Sequence, residues 1–413
     1  MKTTGTKTTS TKITGALFVP FLLTVATALA VTVALLTCSL PSQAAGPEIG
    51  GWVQAGVIVS GSPAGAWEGG VTDLRLNFSQ AEGNVTLKAS LDFLNRFGNR
   101  ELFPDLMPVG TTLPPRFSYA IHQASLRLDR PSGFLQIGRD NLSLSTGRSF
   151  NLFEPFSPGA PWIAGGEKPP VDFWYFQQNF GRNDRLGIAL VFATDTQTIP
   201  DGINGSAGGT VENIRNIKAA RFNHILPEGE FSLIGITDPA REQDIYGLDL
   251  FGQWEVGYWL SAARVSRNSN QKNDPVDQYV LGTDYTLPVG NGVYLSAECF
   301  YDGSGGTSAN ECNWADLRSG KRATLGSRYL ALRQRYNIND FWSEEIAGYR
   351  NLDDEGTIIS PHLTYLYSQD TEIALGADLV SAESGSEFNP GPSRDPAGLL
   401  GHNRFYLSFK KVF

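Results

Sequence analysis

Side chains capable of covalent or metal chemistry are few in this sequence and lie far apart. The four histidines stand at positions 122, 224, 362 and 402, and none has a cysteine pair beside it. Neither the G-x-S-x-G pattern of a nucleophilic serine nor the C-x-x-C-H pattern of an attached haem occurs. We therefore expect no catalytic residue, no metal site and no cofactor, so the function must come from the architecture of the chain.

Two cysteines in the later part of the chain, Cys299 and Cys312, are candidates for a disulfide. They lie in the stretch "AECFYDGSGGTSANEC", with twelve residues between them. In an oxidising compartment, a bridge that closes a loop of this size contributes about 3 kcal/mol to stability. We predict the bridge, and two free thiols are the alternative.

The first 44 residues have the order of a secretory signal peptide. Lys2, Lys7 and Lys12 precede a nearly continuous apolar stretch over residues 16–36, and the small-residue stretch "SLPSQAAG" follows it. A retained membrane helix is the alternative, because the apolar stretch is long enough to span a bilayer. The polar exit favours cleavage, so residues 45–413 are predicted to form a single exported domain.

The exported part of the chain is acidic. Loss of the three lysines leaves 30 basic side chains against 42 acidic ones, a formal charge of −12. Nucleic acid is therefore not an expected partner, because its phosphates would be repelled. No second run of eighteen apolar residues occurs after residue 36, so no later helix is expected to cross a membrane.

The exported part alternates with a period of two residues, which is typical of β-strands. In "NVTLKASLDF", the residues Val85, Leu87, Ala89, Leu91 and Phe93 share one face, and polar residues share the other. The stretches "VTDLRLNF", "QYVLGTDYTL" and "TEIALGADL" repeat this pattern. One face of each strand is apolar and the other carries charge, so two different environments are expected on the two sides of the sheet.

Short turns and long connections alternate between these strands. Turns such as "SQAEGN", "DRPSG" and "LPVGNG" are built from Gly, Pro, Asn and Asp. The largest connections are residues 94–116, 146–171, 195–214, 303–325 and 383–402. The count is eighteen strands, with sixteen as the alternative. They are predicted to begin near residues 50, 69, 84, 117, 134, 172, 185, 216, 230, 244, 253, 277, 292, 326, 341, 357, 371 and 403.

This pattern predicts an all-β fold, a transmembrane antiparallel β-barrel. A strand tilted about 45° needs about 9 to 11 residues to cross a membrane, whereas globular strands average about 5 to 6. Closure into a cylinder removes the unpaired edges of the sheet. A secreted β-sandwich or propeller is the alternative, but its dry core would hold too many charges. We predict that these charges line the pore instead: Arg75, Lys88, Asp92, Arg127, Asp249, Asp284, Glu298, Arg333 and Arg335.

The last strand carries a family resemblance. In "RFYLSFKKVF", the residues Phe405, Leu407, Phe409 and Phe413 share one face. This strand closely resembles the C-terminal strand of Gram-negative outer-membrane β-barrel proteins, the superfamily that includes the porins. The resemblance implies an integral protein of the bacterial outer membrane, with Phe409 and Phe413 as the signal for the barrel-assembly machinery. Lys411 departs from the apolar residue that is usual at its position.

The third long connection, "RSFNLFEPFSPGAPWIAGGEKPPVDF", stands where porins fold a constriction loop into the lumen. The resemblance is one of position and of richness in Pro, Gly and aromatic residues. It implies that the charges of this loop narrow the channel: Arg148, Glu154, Glu167, Lys168 and Asp172. An external cap is the alternative. Charges of both signs argue against sharp selectivity for anions or cations.

A barrel of about eighteen strands leaves an aqueous channel. The sequence therefore predicts a porin without enzymatic activity, which passes small hydrophilic solutes or ions by passive diffusion. The alternative is a barrel that encloses a multihaem cytochrome, as the sheath of a porin–cytochrome conduit. The expected partners are outer-membrane lipid, the assembly machinery and the solutes, and a homo-oligomer is left open.

Overall fold

Antiparallel β-strands make up nearly all the regular structure of this protein. The computed structural model describes residues 47–62, 65–98, 117–156, 170–198, 210–267, 275–308, 311, 314, 322, 324–389 and 402–413. The predicted signal peptide, residues 1–44, lies outside these ranges. Within them, no helix has the length and apolarity needed to cross a membrane.

The strands alternate with turns and loops along the whole described chain. Their bounds are β1 Glu48–Ser62, β2 Gly65–Glu82, β3 Val85–Gly98, β4 Phe117–Arg130, β5 Gly133–Asp140, β6 Val171–Phe180, β7 Asp184–Thr198, β8 Thr210–Leu226, β9 Gly229–Asp238, β10 Gln243–Gln253, β11 Gly257–Arg267, β12 Val276–Leu287, β13 Val293–Asp302, β14 Arg328–Asn337, β15 Trp342–Asn351, β16 Thr357–Ser368, β17 Thr371–Ser381 and β18 Arg404–Val412.

The strands form one closed antiparallel barrel. Each strand pairs with its neighbours in the chain, and β1 also pairs with β18. In this seam Trp52 lies opposite Val412 and Ser60 lies opposite Arg404. Beyond the seam, the Phe413 N–H donates to the Gly51 carbonyl at 3.0 Å and the Gly51 N–H donates to the Phe413 carbonyl at 2.9 Å. The predicted closed barrel of eighteen strands is thus confirmed.

The two rims of the barrel differ sharply in their connections. The rim that carries Glu48 and Phe413 has eight turns of two to five residues, such as 83–84 and 369–370. The opposite rim carries the long connections, which include residues 99–116, 141–170, 303–327 and 382–403. We call these the short-turn rim and the long-loop rim. The predicted alternation of short and long connections therefore holds for most of the chain, and both barrel ends lie on the short-turn rim. The exceptions on the long-loop rim are the connections after β1, β9 and β15, which have two, four and five residues.

The outer surface of the barrel is apolar. Leu91, Trp174, Leu281 and Leu407 are all exposed there, each on a strand whose opposite face carries polar or buried residues. A water-soluble protein would bury such a band, so the exposed side chains form a continuous apolar belt that fits a hydrocarbon surround. The charged residues Asp92 and Asp284 of these strands lie on the inner face, whereas Asp172 lies on the outer face at the start of β6.

Glycines in the wall make room for aromatic side chains of the next strand. A Cβ atom at Gly376 would lie 2.3 Å from the Tyr406 ring, and one at Gly187 would lie 2.3 Å from the Tyr175 hydroxyl. The rings cover the exposed backbone of the glycines and fix the lateral register of the strands. Strand glycines here are therefore packing positions.

Three strands begin four or more residues from the predicted positions, and the other fifteen begin within two residues of them. β2 and β8 begin four and six residues earlier, at Gly65 and Thr210, and β11 begins at Gly257 instead of near 253. The first two extend beyond the alternating part of the sequence toward the long-loop rim. At β11, the Trp254 N–H donates to the Val256 carbonyl at 3.0 Å, which closes a turn over residues that alternate like a strand.

Candidate functional site: the barrel interior

A segment of the third long connection lies inside the barrel. Residues 141–156, which we call the inner segment, follow β5 and pack on the inner face of the wall between β6 and β14. Phe150 and Phe153 of this segment are fully or almost fully buried, and they belong to one apolar cluster with Val191, Ile217 and Tyr329. Burial of the two rings alone stabilises this position by several kcal/mol, at about 1.5 to 3 kcal/mol each. The inner segment is thus part of the barrel core.

Glu298 of β13 holds the middle of the inner segment. Its carboxylate accepts backbone N–H bonds from Arg148 and Ser149, both at 3.0 Å, and from Phe150 at 2.7 Å. The indole N–H of Trp259 donates to the same carboxylate at 2.6 Å. Only 3% of Glu298 is exposed. Four donors around one buried carboxylate satisfy its charge in place of water.

Two further contacts hold the ends of the inner segment. Asp249 of β10 accepts from the Thr146 backbone at 2.9 Å and from the Thr146 hydroxyl at 2.8 Å. Arg215 of β8 forms a buried ion pair with Asp238 and also donates to the Pro155 carbonyl at 3.5 Å. Side chains from four strands thus determine the path of the inner segment across the interior.

Arg148 projects from the inner segment into the open lumen. Its guanidinium lies 2.5 Å from the Asp284 carboxylate and 4.6 Å from the centre of the Trp259 ring, with Tyr294 also in contact. Tyr294 in turn donates to Asp284 at 2.9 Å. The Arg148 side chain remains 48% exposed, so one positive charge is fixed in orientation and still meets water. A cavity of about 640 Å³ lies beside it, lined by Phe251, Gln253 and Thr286 among others.

The charged residues predicted to line the pore all lie on inward faces, and most of them are paired. Arg75 forms a bidentate ion pair with Asp92, whose carboxylate also contacts His122 at 3.2 Å. Arg333 and Arg335 share Glu345. Arg127 pairs with Asp129 at 2.8 Å. Lys88 is exposed to the interior, and Asp284 holds Arg148. Most of these charges are therefore locally neutralised.

Two of the predicted lining residues have a different environment. Asp249 and Glu298 face inward, but the inner segment covers them and leaves 1% and 3% of their surface exposed. They anchor a segment and do not border open water. The prediction that Asp249 and Glu298 line the open pore is thus wrong, because the inner segment and the apolar cluster cover this part of the wall.

The predicted charges of the third connection fall in three places. Arg148 lies in the lumen, and Glu154 is buried within the inner segment, where it accepts from the Ser143 hydroxyl at 2.7 Å. Glu167 and Lys168 lie outside the described residues. The assignment of Asp172 to the loop is wrong, because it is the second residue of β6. It faces outward beside Trp174 and pairs with Arg139 at 2.6 Å, because the alternation "VDFWYF" turns Val171 and Phe173 inward.

The predicted disulfide remains a prediction. Cys299 lies in β13 next to Glu298, and its side chain points to the outer face as a free thiol. Cys312 lies outside the described residues. Since Cys299 follows Leu295 and Ala297 on the outer face, a bridge would require a partner that reaches the outside of the barrel.

The last strand places the two predicted signal residues at the seam. Phe409 lies opposite Ala55 and Ile373, and Phe413 caps the β1–β18 pairing. Lys411, the departure from the usual pattern, forms an ion pair with Asp370 in the turn between β16 and β17. Donors from Lys411 and Ser368 lower the pKa of Asp370 to about 2. The local partner explains how a charge is accommodated at this position.

Several interior residues were not predicted from the sequence. Trp259 and Tyr294 support Arg148, and Trp52 lies between Arg75 and Lys410, with 5.0 Å to each cation. Aromatic residues on an inward face look like any other alternating position in the sequence. Their contacts with cations come from neighbouring strands or from the inner segment, and no local pattern reveals them.

The barrel is similar to solved structures of outer-membrane porins. OccAB1 of Acinetobacter baumannii aligns with a TM-score of 0.58 at 9% identity, over 89% of this chain and 96% of OccAB1. OccAB2 of the same organism gives 0.57 at 11%, over 89% and 98%. OccK2 (OpdF) of Pseudomonas aeruginosa, in complex with glucuronate, gives 0.54 at 10%, over 89% and 98%. No family model and no curated protein matches the sequence. The chain thus has the fold of the outer-membrane porins.

Proposed function

We propose that this protein is a porin of the bacterial outer membrane, through which small hydrophilic solutes or ions diffuse passively. The observation that carries the proposal is the combination of an apolar outer face with a charged inner face on one closed barrel of eighteen strands. A barrel of this size leaves an aqueous channel. The likeness to porin structures supports the same reading, and a passive channel requires no catalytic site.

The inner segment is the proposed constriction of this channel. It occupies part of the interior and is anchored to the wall at Glu298 and Asp249, so it narrows the path without blocking the face that carries Lys88 and Arg127. Arg148 is the segment's exposed charge and the residue that permeating ions would meet. Glu167 and Lys168 belong to the same connection, and their charges are also proposed to narrow the channel.

Export and assembly are part of the proposal. Residues 1–44 act as a cleaved signal peptide, and the barrel-assembly machinery binds the last strand through Phe409 and Phe413. The homo-oligomer stays open. A cytochrome sheath finds no support among the described residues, because the chain's own inner segment takes up interior space that an enclosed partner would need.

Planar-bilayer recording of the purified protein tests the proposal. A porin is expected to give stable ohmic steps in KCl without any added partner. A barrel that needs a second protein to fill or activate it would give no such steps, and this outcome would contradict the proposal. Swelling of proteoliposomes in neutral sugars of graded size then gives the width of the constriction.

Recordings on the same purified protein test which class of solute it binds. Because OccK2 was solved with glucuronate, glucuronate and uncharged glucose form a matched pair of probes. The exposed Arg148 predicts that glucuronate reduces the single-channel current at lower concentration than glucose does. Equal effects of the two sugars would argue that Arg148 does not bind the carboxylate.

A further inference from the structure

A buried carboxyl group fastens one loop inside the barrel mouth at the long-loop rim. Residues 382–389, which we call the mouth segment, follow β17. Glu387 of this segment is 1% exposed. Its carboxylate accepts the Leu325 N–H at 2.8 Å, the Asn351 side-chain N–H at 2.8 Å and the Tyr329 hydroxyl. Leu325 and Tyr329 belong to the start of β14 and the residues before it, and Asn351 ends β15, so Glu387 joins two neighbouring strands to the mouth segment.

The neighbouring residues hold the mouth segment in the same place. The Glu387 N–H donates to Asp354 in the turn between β15 and β16 at 2.7 Å. Phe388 is 1% exposed and belongs to the apolar cluster of the inner segment. The mouth segment therefore has one ionisable side chain in its buried contact, and that side chain is Glu387.

The contact is continuous with the proposed constriction. The Tyr329 ring, whose hydroxyl meets Glu387, lies 5.8 Å from the ring of Phe150 in the inner segment. The Phe150 N–H is in turn bound to Glu298. A change at Glu387 thus acts on a side chain that packs directly against the inner segment.

We propose that Glu387 is a pH-sensitive latch, which fastens the mouth segment to the barrel wall when it is protonated and loosens it when it is ionised. The latch itself does not depend on conduction. Its effect on solute passage rests on the proposed function.

The groups around Glu387 set the direction of the response. Among the described residues, the titratable or charged side chains that face it are Tyr329 on β14 and Asp354 in the β15–β16 turn. Asp353 in that turn bonds to Ser327 and Arg328, and Arg322 pairs with Asp302. Burial and the nearby Asp354 charge raise the pKa of Glu387 from 4.5 to about 7, against the opposing effect of its donors.

The sign follows from proton linkage. A raised pKa in the fastened state means that this state binds the proton more tightly than the released state does. Fastening is therefore strongest below the ordinary value of 4.5, weakens as the pH rises toward about 7, and changes little above that. A difference of this size corresponds to a change in the fastening equilibrium on the order of 100-fold.

Hydrogen exchange of the full-length protein in detergent micelles tests the latch. We expect protection of residues 382–389, after correction for the intrinsic rate, to fall at least tenfold between pH 5 and pH 8. Glu387→Gln should keep the same protection at both pH values. Glu383→Gln is the matched control, since Glu383 is an exposed carboxylate of the same segment, and should respond like the wild type. A flat wild-type profile, or a Glu387→Gln variant that titrates normally, would overturn the proposal.

Two further variants test the latch if Glu387→Gln fails to fold. Asp354→Asn removes the neighbouring negative charge and should move the midpoint of the protection change to lower pH. Tyr329→Phe removes a donor to the ionised form and should move it to higher pH. A merely structural role would change protection without moving the midpoint, and shifts that are absent or in the same direction would contradict the latch. Current recordings are not needed, so failure of the porin function would be seen separately.

Discussion

At the scale of single residues, the interior depends on a few buried carboxylates that bind backbone rather than solute. Glu298 alone satisfies the N–H groups of three consecutive residues of the inner segment. Such an arrangement is costly to break, because a buried donor without an acceptor costs about 1–3 kcal/mol. We expect residues of this kind to control the proposed channel through the position of the segment.

Replacement of Glu298 by alanine should widen the channel. It leaves four donors without their acceptor, on the order of 4 kcal/mol or more in total, so the inner segment is expected to leave the wall. Single-channel conductance should rise by roughly 1.5-fold or more, with larger current noise. Glu345→Ala is the control, because Glu345 is an interior carboxylate that pairs with Arg333 and Arg335 on the wall. Equal conductance of the two variants would contradict the anchoring role.

Arg148 and Asp284 should have opposite effects on ion selectivity. One unit charge about 7 Å from a permeating ion is worth about 0.6 kcal/mol in water, or about threefold in permeability ratio. Arg148→Gln should therefore shift the reversal potential in a KCl gradient toward cation preference, and Asp284→Asn should shift it toward anion preference. The double variant should return close to the wild type. Shifts of the same sign in both single variants would contradict a direct electrostatic effect.

At the scale of elements, the strands and turns follow from local sequence, and the inner segment does not. Alternation predicts the strand near residue 117, where β4 begins, because the polarity of each residue indicates the face of the sheet on which it lies. Turn residues such as Pro131 mark the ends of the strands. The path of residues 141–156 depends instead on partners 60 to 150 positions away, such as Glu298, which no local pattern contains. Asp172 was misassigned for a related reason, since the change from loop to strand carries no signal of its own.

One glycine should decide whether β4 and β5 can pair. Gly138 has φ of +122°, and a Cβ atom there would lie 2.0 Å from the Ala124 carbonyl oxygen. Gly138→Ala should therefore lower the folded fraction in refolding from urea, by strain of about 1–2 kcal/mol plus the clash. Gly348→Ala is the matched control, because a Cβ atom there meets nothing within 4 Å. The folded fraction is read from the mobility difference of unheated and heated samples. Similar loss in both variants would contradict this account of Gly138.

At the scale of the whole molecule, closure is the property on which everything else depends. The β1–β18 seam turns a sheet with two edges into a cylinder, and only a closed sheet can lie in hydrocarbon. The sequence predicts this from strand length and from its final strand. It does not predict how much of the interior the chain itself fills, because filling is decided by contacts across the barrel.

A designed disulfide can test the seam directly. A Cβ atom added at Gly56 would lie 3.5 Å from the Ser408 Cβ, within the range of a disulfide. The Gly56→Cys and Ser408→Cys pair, in a background with serine at positions 299 and 312, should oxidise completely and prevent heat-induced opening of the barrel on gels. The Gly56→Cys and Tyr406→Cys pair, displaced by two residues, is the control. Efficient bridging of the control would place β18 in another register.

The seam also imposes an order in time. β1 is made before the other described strands, yet one of its two partners, β18, is made after all of them, about 340 positions later in the chain. During synthesis and export one edge of β1 remains unpaired, and binding by other proteins would prevent that edge from aggregating. Polypeptides cut short by ribosome stalling could never complete the cylinder. The geometry thus distinguishes finished molecules from fragments, and leaves the fragments open to proteolysis.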